Sequence, residues 1–135
     1  PDVMAQVDIS TAHNEWRLQG SLDFIDDGPS AGRIEVYDGT KPPPGDAVTT
    51  QVKLFEFLLT SPPGSVMSGT ADVTAAGVAM VLATGTPTWS RWVNGNGAWV
   101  QDTDAGGPAS SAAVKVSAAT VYAGGEVSLT SAVMG

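Results

Sequence analysis

Apolar and polar positions alternate with a period of two along most of this chain, and with a longer period along a single stretch. In TAHNEWRLQGSLDFIDDG (residues 11–28) the apolar residues Ala12, Trp16, Leu18, Leu22 and Ile25 recur mostly three or four positions apart. That spacing predicts an amphipathic helix, with Gly28 as its C-terminal stop and Pro29 beyond it. Gly20 inside it costs about 1 kcal/mol relative to Ala. Asp23, Asp26 and Asp27 crowd the end where the helix dipole disfavours anions. The preceding PDVMAQVDIS (1–10) places Val3, Val7 and Ile9 on one parity and reads as an extended arm.

From Gly32 onward every periodic segment reads as a strand. GRIEVY (32–37) alternates Ile34 and Val36 with Arg33, Glu35 and Tyr37. QVKLFEFLLT (51–60) is apolar on both parities for part of its length, as a strand covered on both faces would be. Between them DGTKPPPGDA (38–47) reads as a loop, because Pro42, Pro43 and Pro44 cannot donate to a ladder. Ser61-Pro62-Pro63-Gly64 is expected to break the second strand. Further strands are expected at 66–74, 77–84, 88–93, 98–102, 112–118 and 126–134, with turns of Gly, Pro or Asn between nearly all of them. Strands recurring every ~8–12 residues predict a mainly β fold of the antiparallel sandwich or barrel kind. The domain organisation expected is an arm over 1–10 and a single β-domain over 11–135 that opens with one short helix.

RWVNGNGAWVQD (91–102) spends two of the four tryptophans on one tight hairpin. Its Asn-Gly pairs supply the positive φ angles that such turns require. Two registers are open. A turn at Asn94–Gly97 with Val93 opposite Ala98 sets Trp92 against Trp99 and Arg91 against Val100. A turn at Asn96-Gly97 sets Arg91 against Asp102 instead. Trp92 and Trp99 either pack inward or form a stacking platform for sugar rings or a neighbouring protein. Trp89 has the opposite parity from Trp92, so each face of the hairpin is expected to carry at least one Trp. One face is then core, and a protein contact is the simplest use of the other.

Composition narrows the partners. The 135 residues are enough for one core, and 42% of them are hydrophobic, as in globular proteins. Only 15% are charged, while Gly (16) and Pro (9) are plentiful, which suits short segments joined by turns. A net charge of −8 with no Lys/Arg stripe disfavours nucleic acid. Cysteine is absent, which removes disulfides, thiolate chemistry and cysteine-ligated zinc. No apolar run approaches the ~20 residues that span a bilayer, so a soluble protein with no membrane partner is expected.

Chemistry is sparse. His13 is the only histidine, and one His gives no triad. Asp23, Asp26 and Asp27 read as surface acids of a helix end rather than an acid–base pair. Asp102-Thr103-Asp104-Ala105-Gly106 looks like the start of a calcium loop but lacks a later carboxylate in 106–114. No catalytic, cofactor-binding or metal-ligating residue is assigned, and an enzyme is not expected.

Three segments together carry a resemblance: GRIEVYDGTKPPPGDA (32–47), SRWVNGNGAWVQDTDAG (90–106) and ATVYAGGEVSLTSAVM (119–134). The combination resembles small virion structural proteins of tailed bacteriophages. It rests on Gly32, Arg33, Tyr37, Gly39 and Pro42, on Trp89–Val100, and on Gly124, Gly125, Val127, Leu129, Thr130 and Ser131, and it covers most of 15–134. The apolar arm over 1–10 is longer than in the simplest members. The resemblance implies a capsid cement or decoration protein with a jelly-roll-like β-sandwich. Such a protein sits on the outer surface of the head and bridges neighbouring major capsid subunits, as a homo-oligomer with a dimer favoured. The bridging residues expected are Val3, Val7 and Ile9 in the arm, Pro42, Pro43 and Pro44 in the loop, and Trp89, Trp92 and Trp99 in the hairpin. The alternatives are a tail, neck or baseplate accessory protein, and a carbohydrate-binding module that uses a Trp platform.

Overall fold

The computed structural model describes residues 8–134. Helix α1 (Thr11–Ile25) forms where the period-3.6 pattern predicts it. Ser10 caps it: its side-chain oxygen accepts the His13 backbone N–H at 3.0 Å, which satisfies one of the orphan donors of the first turn. Leu18, Leu22 and Ile25 form the buried stripe. Ala12 and Trp16 lie on the opposite side and face solvent, so the apolar spacing that reveals the helix belongs to two faces rather than one.

Among the described residues nine strands follow: β1 (Arg33–Tyr37), β2 (Lys53–Met67), β3 (Thr70–Ala75), β4 (Ala79–Met80), β5 (Trp89–Val93), β6 (Trp99–Gly106), β7 (Val114–Val116), β8 (Glu126–Val127) and β9 (Leu129–Met134). The fold is mainly β, as the alternation predicts. Seven strands close into a barrel in the order β1-β2-β3-β9-β7-β6-β5, while β4 and β8 make a separate two-stranded ribbon. The closed barrel differs from the jelly-roll-like sandwich expected. The ring is continuous, because β5 pairs with both β1 and β6, and β9 pairs with both β3 and β7. Closure leaves no free edge in the ring, the same protection a sandwich has to obtain by other means. Pairing within the ring is antiparallel except between β6 and β7, which run parallel.

Ser61-Pro62-Pro63-Gly64 does not end its strand. β2 runs through it, and its register against β3 jumps from Leu59↔Ala75 to Gly64↔Val73. The two prolines sit in that gap, where their missing N–H groups cost no ladder bond. At Gly64 the strands approach so closely that a Cβ would lie 2.1 Å from the Asp72 carbonyl oxygen. Ser68 and Gly69, both at positive φ, then turn β2 into β3.

The inward residues form one core. Ile34 and Val36 of β1, Phe55 and Phe57 of β2 and Trp92 of β5 meet Val114, Val116, Ala132 and Met134 from the far side. Phe55 and Phe57 pack edge to face with centroids 5.4 Å apart. Leu18, Leu22 and Ile25 join the same cluster, since α1 packs on β2 and β3. Asp26 and Asp27 then tie the helix end down. Asp26 accepts from the Ser61 hydroxyl at 2.9 Å, and Asp27 accepts from the Asn96 amide at 3.0 Å.

Candidate protein-interaction surface

The hairpin between β5 and β6 decides where its tryptophans point. Gly97 N–H donates to the Asn94 carbonyl and Asn94 N–H to the Ala98 carbonyl, each at 3.0 Å. Gly97 takes φ +82. This is a three-residue loop closed by a glycine in the left-handed region. A register shift between Trp92 and Val93 then brings Arg91 opposite Asp102, Trp92 opposite Gln101 and Val93 opposite Trp99. Neither expected register forms in full: the turn is closed by Asn94 and Ala98 rather than at Asn96-Gly97, yet the shift still pairs Arg91 with Asp102, and Trp92 does not face Trp99.

Trp92 points into the barrel and is fully buried. Its indole N–H lies 3.2 Å from both the Ser90 and Thr103 hydroxyl oxygens, so the one polar atom of the ring is satisfied in the core. Trp89 and Trp99 point the other way. Each face of the hairpin therefore carries a Trp, but the two outer ones differ. Trp89 is buried too. Tyr37 stacks on it with centroids 4.6 Å apart, Arg91 lies 5.4 Å over its ring, and its N–H donates to the Asp38 carbonyl at 3.0 Å. Trp89 and Trp92 are thus removed from the expected contact residues, because this chain's own groups cover both. Of the three tryptophans of β5 and β6 only Trp99, 44% exposed, remains on the surface.

The proline loop reaches Trp99. Pro43–Asp46 is a turn in which Asp46 N–H donates to the Pro43 carbonyl at 3.0 Å. Gly45 takes φ +77 there, with Pro44 before it, the pair that a type II turn prefers. The turn sets Gly45 against the indole: a Cβ on it would lie 3.2 Å from the Trp99 ring. Asp102 holds the arrangement shut. Its carboxylate accepts from Arg91 Nε at 2.8 Å, Arg91 Nη2 at 3.1 Å, Trp99 Nε1 at 3.0 Å and Gly45 N at 3.2 Å. The Asp102 side chain is only 2% exposed and that of Arg91 13%. Burial pushes the Asp102 carboxyl up, but the hydrogen bonds from Arg91, Trp99 and Gly45 and the Arg91 charge outweigh it and hold the group below its ordinary range.

A second polar group continues this outer face. Glu35 accepts from Arg33 Nε at 2.9 Å and from the Tyr37 hydroxyl at 3.1 Å, and Lys53 reaches both Glu35 and Glu56. Burial first, then the Glu35 charge, push the Tyr37 phenol up to about 12. Cations and acids in this row neutralise one another. The outer face thus ends in a half-exposed indole beside exposed Pro43 and Pro44, with Pro42 half-buried.

The other expected contact residues lie elsewhere. Ile9 is half-buried, and Val3 and Val7 lie outside the described residues. Asp102-Thr103-Asp104-Ala105-Gly106 is part of β6 rather than a metal loop. Asp102 is taken up by Arg91 and Asp104 by the Ala113 N–H at 2.8 Å. Sequence reasoning missed the Arg91–Asp102–Gly45 clasp, for which the second hairpin register was the one available signal. It also missed how fully Trp16, Met67, Met80 and Tyr122 are exposed. Met80 alternates with buried Ala79 and Val81, but no polar residue marks the outward parity there. Comparison with family models, curated proteins and solved structures gave no match to this chain.

Proposed function

We propose that this protein is a structural component of a tailed-bacteriophage virion. In this reading it is a cement protein that binds the outer surface of the head and bridges neighbouring major capsid subunits. The resemblance of residues 32–47, 90–106 and 119–134 supplies the family. The observation that carries the reading is the clasp: Asp102 joins the proline loop to the hairpin, so that two of the three expected bridging elements present one preset surface around Trp99. A surface ordered before contact loses little conformational entropy on docking. On a symmetric shell a modest affinity, repeated at every site, is enough to hold a rigid body in place.

The test is binding of the purified protein to heads stripped of it. Native protein should return to the shell and raise its heat resistance, and Trp99→Ala should fold but bind poorly. Label found on tails and never on heads overturns the cement reading in favour of a tail, neck or baseplate part. Fluorescence quenching of Trp99 by a glycan, with no binding to particles, overturns it in favour of a carbohydrate-binding module.

A further inference from the structure

Residues 94–97 contain two Asn-Gly steps, and the fold treats the two asparagines differently. Asn94 is 1% exposed. Its side-chain oxygen accepts the backbone N–H groups of Asn96 and Ala98, each at 2.9 Å. Its amide can reach its own neighbour's nitrogen only by breaking both bonds inside a closed turn. Asn96 is exposed. Its amide makes one side-chain hydrogen bond, to Asp27 at 3.0 Å. The space around the following Gly97 is open, with no atom within 4 Å of where a Cβ would stand.

We propose that Asn96 is a site of spontaneous, water-dependent deamidation, and that the reaction unfastens the hairpin tip from the end of α1. The Gly97 amide nitrogen loses its proton to hydroxide and attacks Asn96 Cγ. The bond from Cγ to the side-chain nitrogen breaks and ammonia leaves. Water then opens the resulting succinimide at either carbonyl, to give aspartate or isoaspartate. The sum is amide plus water to carboxylic acid plus ammonia, with no change of oxidation state. The Gly97 N–H donates to the Asn94 carbonyl in the closed turn, so the reaction runs from moments when the tip opens.

The product is the consequential part. A carboxylate at 96 would stand where an amide now donates to Asp27, so attraction becomes repulsion between two anions. Among the described residues the tip is also tied to the segment after the helix by the Ser30 N–H, which donates to the Gly95 carbonyl at 3.3 Å. Gly28 and Gly95 are packed so closely there that a Cβ on Gly28 would lie 2.4 Å from the Gly95 carbonyl carbon. Asp27 therefore has two roles: it restrains the Asn96 amide beforehand and drives the joint apart afterwards.

The experiment is peptide mass spectrometry of the full chain held at mildly alkaline pH and sampled over days, beside the same chain in denaturant. Folded protein should convert at 96, with isoaspartate in the product, and leave 94 as asparagine; denatured protein should convert at both. Asp27→Ala, which removes the acceptor of the Asn96 amide, should speed conversion at 96 several-fold, and Asn96→Asp should raise the hydrogen-exchange rate of the Ser30 amide. Conversion at 94 matching or exceeding that at 96 in folded protein overturns the proposal. So does folded protein that stays intact while the denatured chain reacts, or an unchanged Ser30 amide in Asn96→Asp.

Discussion

Replacing Asp102 with alanine tests whether the outer face is a buried network or a surface ion pair. The carboxylate accepts four hydrogen bonds, two of them from one guanidinium. Removing it strands Arg91, whose side chain is 13% exposed, over the Trp89 ring. Orphaning a fully buried charge costs about 3–5 kcal/mol, whereas deleting an exposed pair costs about 0–1 kcal/mol. Arg91 keeps some solvent contact, and the Trp99 and Gly45 donors can reach water once the clasp opens. The expected loss is therefore about 2–4 kcal/mol, which lowers the melting temperature by on the order of 10 °C. Urea unfolding at pH 7 measures it. The pH dependence has a definite sign. The folded-state pKa lies below the ordinary value of 3.8, so the carboxylate's contribution is complete above that value. It disappears as pH falls through the folded-state pKa. The difference between native protein and the alanine variant should then shrink in acid. A loss under about 1 kcal/mol at pH 7, or one that does not change in acid, refutes the network.

The two tryptophans of the hairpin should separate in the same assay. Trp92→Ala should cost about 3–5 kcal/mol, as expected of a full-size core truncation, while Trp99→Ala, with about half its ring already in solvent, should cost about 1–2 kcal/mol. Equal losses would mean that the outer ring is as buried as the inner one. Tyr37 is neutral in the fold and its pKa is raised from 10.0 to about 12. Its contribution is thus complete below pH 10 and lost as pH rises towards 12. Native protein should weaken over that range, and Tyr37→Phe should weaken less, as read from unfolding midpoints. Ser10→Ala should cost about 1 kcal/mol through loss of the helix cap, with helix content followed by circular dichroism.

Patterning was most informative where one period dominated and one face was polar. β1 announces itself in RIEVY because its outward residues are Arg33, Glu35 and Tyr37 and its inward ones Ile34 and Val36. The helix was visible from Leu18, Leu22 and Ile25, although Trp16 stands off their stripe. The proline run at 61–64 misled because proline argues against ladder hydrogen bonds but not against a bend between two laddered stretches. Ring closure was out of reach for a different reason. It depends on which strands β9 meets, and alternation along one strand says nothing of its neighbours. The clasp lay hidden likewise: Gly45 and Asp102 are 57 positions apart, and only the hairpin register aims that carboxylate at the loop. Parity puts Trp89 on the face opposite Trp92, and it is buried there because Tyr37 stacks on it and Arg91 spans it.

β9 is the last strand of the ring to leave the ribosome, and it is also the keystone, since β3 and β7 each need it as a neighbour. Until Leu129–Met134 has been made, β3 and β7, far apart in sequence, both lack the neighbour they pair with in the ring. Closure of this ring consequently rests on contacts between strands far apart in sequence. A chain stalled before β9 would offer the flanks of both strands to its neighbours.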